Sequence, residues 1–158
     1  MSSVFESLEE ILGSDGFLRP DSDQAVDYLK DMADYPSRPL VIVYPNSTEQ
    51  ITKIVNVARK FKVPLIPRGA GTSLTGATSA DGGIVVDFSK KMNHILKIDT
   101  VNWYVHCEPG ISIDDLNDQL KKEGFFFPPD PSSSPWCTVG GAIAENSGGM
   151  KCFRYGTV

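Results

Sequence analysis

The run Leu40-Val41-Ile42-Val43-Tyr44, closed off by Pro39 and Pro45, constrains this chain more than any other stretch. Its apolar residues do not alternate with polar ones and are too few for a helix, so they read as a strand buried on both faces. Asn46 or Ser47 can cap the helix that follows, and Ser47 with Gln50 has capping-box spacing. Ile51, Ile54, Val55, Ala58 and Phe61 share one face of that helix, while Lys53, Arg59 and Lys60 decorate the rest. Val63-Pro64-Leu65-Ile66-Pro67 is a second strand. Strand, helix and strand within about 30 residues form a β-α-β unit, and the handedness rule makes its crossover right-handed.

Beyond this unit lies Arg68-Gly69-Ala70-Gly71-Thr72-Ser73-Leu74-Thr75-Gly76, and then Gly83-Ile84-Val85-Val86-Asp87-Phe88 as a third strand. Ile95 to Cys107 reads as two strands in a hairpin, with Val101, Trp103, Val105 and Cys107 alternating on one face and His106 on the other. Ser112 caps a further helix that turns Ile113, Leu116 and Leu120 inward and stops at Gly124. Ahead of the first strand the chain reads as a peripheral helical arm. Val4, Leu8, Ile11 and Leu12 have helical spacing with Gly13 as the stop, and Asp21 to Asp34 carries Ala25, Val26, Leu29, Met32 and Ala33 in the same rhythm.

Composition sets the outer limits. A chain of 158 residues holds one domain or two small lobes. Lys and Arg number 15 against 20 Asp and Glu, a net charge of −5, which argues against a nucleic-acid binder because such proteins concentrate cations to displace counterions. Cys107, Cys137 and Cys152 are too few and too scattered for a disulfide scaffold or a zinc site. The opening MSSVFESLEE lacks the basic and apolar regions of a secretory signal, and no run of residues is apolar for long enough to make a transmembrane segment. A cytoplasmic setting is expected, with peripheral membrane contact compatible.

The loop Gly69–Gly76 carries the most chemistry. Three glycines and three hydroxyl residues directly after a buried strand let backbone N–H groups surround an anion. Two familiar phosphate loops nearly match. Gly69-x-Gly71 opens like a dinucleotide fingerprint, but Leu74 stands where its third glycine belongs, and a strand-like run follows instead of a long helix. Gly71 and Gly76 have P-loop spacing, yet Ala77 replaces the required lysine. A second segment, Pro131-Ser132-Ser133-Ser134 with Thr138-Val139-Gly140-Gly141-Ala142-Ile143-Ala144-Glu145-Asn146-Ser147-Gly148-Gly149, again offers unhindered backbone and hydroxyls. Two such segments about 60 residues apart suit a long ligand with a diphosphate and a planar ring better than a simple phosphate.

Taken in order, Pro67–Gly76, Pro128-Pro129-Asp130-Pro131-Ser132-Ser133 and Thr138–Gly149 resemble the FAD-binding (PCMH-type) domain of the vanillyl-alcohol oxidase superfamily. The similar branch holds D-lactate dehydrogenase, the glycolate oxidase flavoprotein subunit and D-2-hydroxyglutarate dehydrogenase, and the resemblance covers roughly residues 36–158. It implies an α+β, two-lobed domain: a small β-α-β lobe, and a larger lobe of mixed or antiparallel sheet with helices. The corresponding boundaries are 1–36 for the helical arm, 37–89 for the first lobe and 90–158 for the second. It also implies a C-terminally truncated N-terminal fragment, with the second lobe incomplete and the substrate domain absent.

By the same resemblance, Pro67, Arg68, Gly69, Ala70, Gly71, Thr72, Ser73 and Gly76 contact the pyrophosphate. Pro109 and Gly110, with Asp130, Ser133, Thr138, Gly140, Gly141, Asn146 and Gly148, line the ribityl and isoalloxazine side. Relatives that bond FAD covalently carry His where this chain has Thr72, so FAD is expected to be non-covalent, with Cys137 the one residue able to contradict that. The implied reaction is oxidation of a D-2-hydroxy acid such as D-lactate or glycolate, by hydride transfer to flavin N5. Electrons then pass to a quinone, an electron-transfer flavoprotein or an iron–sulfur partner. The family keeps its catalytic and metal-binding residues in a C-terminal domain, so none is expected here. The alternative is a non-catalytic flavin-binding or interaction module completed by another chain.

Two side chains, Arg68 and Asp130, keep two readings each. Arg68 neutralises a phosphate or forms a surface salt bridge. Asp130 borders the flavin ring or fixes a turn. Trp103 and Trp136 read as packing residues, His94 has no visible partner, and the Asp114-Asp115-Asp118 cluster is the solvated first turn of a helix.

Overall fold

A computed structural model describes residues 3–158; Met1 and Ser2, the first residues of the arm, lie outside the described residues. Helix α1, Val4–Leu12, begins at a capping box in which Ser3 Oγ accepts from the Glu6 N–H at 3.2 Å and Glu6 Oε2 accepts from the Ser3 N–H at 2.7 Å. It ends at Gly13, and Leu8 is fully buried. The arm is therefore built into the first lobe rather than peripheral to it. After α1, the short strand β1, Phe17–Leu18, pairs antiparallel with β2, Val41–Val43.

Helix α2, Thr48–Phe61, is capped by Ser47 and closes with Lys62 in the left-handed region. Strands β3, Leu65–Arg68, and β4, Ile84–Asp87, run parallel to β2, giving the sheet order β1-β2-β4-β3. The two strands flanking α2 are thus not neighbours; β4 lies between them. Because side chains alternate across a strand, Val41, Val43, Ile84 and Val86 face α1 and α2, where they meet Leu8, Ile54, Val57 and Ala58. Ile42 and Val85 face the other way, against Ala25, Tyr28 and Ala80. Both faces are covered, as the unbroken apolar runs require.

The helical reading of Asp21–Asp34 is corrected. Only a short 3-10 helix forms, Asp23–Tyr28, and Val26, Leu29 and Met32 are exposed. Beyond it, backbone donors are drawn away from helical partners. Asp31 Oδ1 accepts the N–H groups of Ala33 and Tyr35, each at 3.0 Å, and the Met32 N–H donates to the carbonyl of Gly71. Tyr28 turns inward instead, and its hydroxyl donates to Asp87 Oδ2 at 2.5 Å, while Asp87 Oδ1 accepts from Ser89 N and Oγ at 2.7 Å. Burial and the adjacent carboxylate push the Tyr28 phenol far above its ordinary range, so it remains a donor.

The second lobe holds the expected hairpin, β5 Ile95–Asp99 and β6 Tyr104–Cys107. Its turn is longer than the alternation suggests. Asp99 Oδ1 accepts from Asn102 N and Nδ2, Trp103 adopts a left-handed φ of 57°, and Val101 and Trp103 protrude into solvent. Lys97 and those Asn102 bonds hold the Asp99 carboxyl down at about 2. Trp103 and Trp136, read as packing residues, are 80% and 62% exposed. His94 does have a partner, Glu108 Oε2 at 2.7 Å from its Nδ1.

Helix α3, Ile113–Leu120, is capped by Ser112 and buries Ile113, Leu116 and Leu120, and Gly124 ends the short 3-10 turn that follows it. These side chains share a core with Ile111, Cys137, Val139 and Ala142. Two short helices complete the lobe, α4 Val139–Ala144 and α5 Cys152–Tyr155. Among the described residues, no helix is long and apolar enough to cross a membrane. Tyr28→Phe removes one donor from a buried carboxylate and should cost about 1–3 kcal/mol, read as a lower urea midpoint with unchanged slope.

Candidate functional site

Strands β3 and β4 end side by side, with Arg68 registered against Asp87, and the first glycine-rich loop leaves from that end. Ligands of open α/β sheets bind beyond the carboxyl ends of the strands, where backbone must splay to make a crevice. The second glycine-rich segment reaches the same place by a backbone seam. The Ile113 N–H donates to Cys137 O at 3.0 Å, Val139 N–H to Ile111 O at 2.9 Å, and Gly140 N–H to Pro109 O at 2.9 Å. Thr138, nearly fully buried, caps α4 by accepting the Gly141 N–H at 3.2 Å.

The two segments touch because Gly69 lacks a side chain: a Cβ there would run into Thr138 Oγ1. Gly71 has a different requirement. Its φ of +73° suits glycine, and a Cβ would strike the Arg68 guanidinium. Between the segments lies a cavity of about 480 Å³, within the range of about 300–1,000 Å³ usual for small-molecule sites.

Most of the residues singled out from sequence meet at this cavity. Pro67, Arg68, Gly69, Ala70, Gly71, Thr72, Ser73, Pro109, Ser133, Thr138, Gly140, Gly141, Asn146 and Gly148 all line it. Gly76, Gly110 and Asp130 do not. Gly76 packs on the Tyr35 ring, Gly110 lies tight beneath the Phe88 carbonyl, and Asp130 Oδ1 accepts the Lys151 N–H at 2.9 Å. That bond ties Asp130 to the segment leading into α5 rather than to its own turn. Other lining residues were not singled out as contacts: Leu74, Thr75, Glu145 and Ser147 lie inside the quoted segments but match no motif position, and Thr78 lies just outside them. Phe88 also lines the cavity and is brought there by the β3–β4 register, which no local pattern signals.

Only two lining residues carry charge, Arg68 and Glu145. Arg68 is 7% exposed, which rules out the surface salt bridge. Its Nη2 donates to the Asp27 carbonyl at 2.7 Å and its guanidinium sits 5.1 Å from the centre of the Tyr28 ring. Among the described residues no carboxylate pairs with it. A guanidinium has five N–H donors, so this buried cation retains donors for an anion beside the loop. Cys137 lies at the joint between the segments. Burial pushes its thiol up, against hydrogen bonds with Thr72, Ser133 and Ser147 that pull the other way.

A family profile described as FAD binding domain matches residues 39–158. The chain is 37% identical over 154 residues to glycolate oxidase subunit GlcD of Bacillus subtilis, covering 97% of this chain and 33% of the relative. It is 40% identical over 128 residues to D-lactate dehydrogenase of Anaerostipes hadrus, covering 80% of this chain and 26% of the relative. A solved alkyldihydroxyacetonephosphate synthase superposes with a TM-score of 0.86 at 25% identity, over 98% of this chain and 31% of that one. The chain thus spans about a third or less of the length of these relatives.

Two expectations follow from the geometry. Gly71→Ala places a side chain in the left-handed region and against Arg68, so it should lower stability by about 1–2 kcal/mol or more in urea unfolding. The Cys137 thiol should stay protonated at neutral pH, and its alkylation rate in the native protein should keep rising above pH ~8.5, the ordinary thiol value. A rate that levels off below that pH contradicts the buried assignment.

Proposed function

The chain belongs to the FAD binding domain family, and on that premise we propose that it forms the FAD-holding part of a flavoprotein that oxidises a D-2-hydroxy acid such as D-lactate or glycolate. One observation carries the binding half of this reading: two glycine-rich segments, distant in sequence, wall a single cavity beside a buried cation that has no carboxylate partner among the described residues. The residues present fit the dinucleotide. Gly71, having no Cβ, lets the Arg68 guanidinium lie against the loop backbone, and Arg68 supplies the charge that a diphosphate needs.

Within that reading, the backbone of Gly69, Ala70 and Gly71 and the side chain of Arg68 hold the diphosphate, with Pro67, Thr72 and Ser73 shaping the loop. Pro109, Ser133, Thr138, Gly140, Gly141, Asn146 and Gly148 form the opposite wall. Gly76, Gly110 and Asp130 stand off the cavity, against Tyr35, the Phe88 carbonyl and Lys151. Bound FAD supplies the hydride-accepting chemistry, and the protein's task is to bind it, orient it and exclude water. Thr72 offers a hydroxyl that hydrogen-bonds but forms no flavin linkage, which supports non-covalent binding. Groups that orient the hydroxy acid and take its hydroxyl proton are proposed to come from elsewhere in the whole protein. The reading also carries an electron acceptor, a quinone, an electron-transfer flavoprotein or an iron–sulfur protein. The relatives' names, glycolate oxidase subunit and D-lactate dehydrogenase, support the substrate class.

Purified full-length protein should be yellow, and acid precipitation should leave the flavin in the supernatant; colour retained in the pellet overturns the non-covalent assignment. Anaerobic addition of D-2-hydroxy acids should bleach the flavin band, and L-enantiomers should not. Failure of a broad panel of D-acids to bleach it overturns the substrate class while leaving FAD binding intact.

A further inference from the structure

The cavity carries one negative charge, and neither the binding motif nor the comparisons assign it a role. Glu145 follows helix α4, is exposed, and lines the cavity opposite the first loop. Thr75, on that loop, spans the cavity rim to reach it: Thr75 Oγ1 lies 3.1 Å from Glu145 Oε2 and 3.3 Å from Oε1. Ser73 Oγ lies 3.0 Å from the same threonine hydroxyl and accepts the Thr75 N–H at 3.2 Å. A threonine hydroxyl has a single proton, so both carboxylate oxygens share one donor. A carboxylate offers about four acceptor positions, so most of this acceptor capacity is unused by Thr75.

Charge decides what the unused capacity suits. The anionic part of a ligand belongs beside Arg68, since like charges a few ångströms apart repel. A carboxylate elsewhere on the same cavity wall selects hydrogen-bond donors, and a dinucleotide offers these densely on its sugars. Acidic side chains that accept from ribose hydroxyls are a general solution to this problem. We propose that Glu145 accepts a hydrogen bond from a sugar hydroxyl of the bound FAD, with the Thr75 contact a rim closure whose loss costs less than loss of the carboxylate. This rests on the FAD reading given above.

The test is FAD affinity of the apo full-length protein, followed by quenching of flavin fluorescence, with apo melting temperatures as a check on folding. Glu145→Ala should weaken FAD binding about tenfold, the scale of a hydrogen bond to a charged group, and Thr75→Val should weaken it by less. A loss below about threefold for Glu145→Ala overturns the proposal. So does a Thr75→Val loss as large as that of Glu145→Ala, which would make the pair a structural strap between the walls. If Glu145→Ala does not fold, Glu145→Leu, which also lacks an acceptor, decides by the same criteria. A wild-type protein with no affinity for FAD overturns the FAD reading and this proposal together; normal wild-type affinity with an unaffected variant overturns this proposal alone.

Discussion

The contact between Gly69 and Thr138 is what the site depends on. Thr138 is pinned three ways: its hydroxyl caps α4, its backbone lies in the seam beside Ser112, and its side chain is nearly sealed from solvent. Gly69 abuts that hydroxyl with no room for a methyl group. The first loop is therefore placed against a fixed point on the second lobe, and the cavity inherits its width from that contact. Packing of this kind transmits small volume changes directly, because interiors have no slack to absorb them.

The cavity's electrostatics follow from how Asp87 is satisfied. Arg68 and Asp87 are neighbours in the β3–β4 register, an arrangement that invites a buried ion pair. Instead, Tyr28 and Ser89 occupy the Asp87 oxygens, and Arg68 turns to the Asp27 carbonyl and the Tyr28 ring. A buried charge without a counter-ion is costly, and the carbonyl and ring offset that cost only in part. The arm that carries Asp27 and Tyr28 thus keeps Arg68 unneutralised, which ties the N-terminal residues to the site although none of the described ones lines it.

Much of this was legible in the sequence. The buried strands, α2 with Ser47, α3 with Ser112 and Gly124, and most of the cavity wall were readable because each rests on local signals: apolar runs, caps and glycine clusters. What stayed hidden depends on side-chain bonds that compete locally with regular structure, and on partners far along the chain. The Asp21–Asp34 rhythm was helical in pattern, but at its end Asp31 takes the Ala33 and Tyr35 N–H groups and Gly71 takes that of Met32. Alternation in Val101-x-Trp103 mimicked a strand, while Asp99 drew Asn102 into a turn. Glu145 carries no local signal of its own, and only the fold sets it across from Thr75.

The sheet order β1-β2-β4-β3 leaves β3 as an outermost strand, and β3 carries the loop. An outer strand ordinarily offers a ladder of amide donors to any passing chain. Here Pro67 sits inside the strand and Pro64 just ahead of it, and proline has no amide hydrogen to offer. On the opposite flank β1 is only two residues long, too short to template a neighbour. Both margins of the sheet are thereby poor seeds for fibril growth, so the strand bearing the cofactor loop can stand at the border without recruiting a second copy.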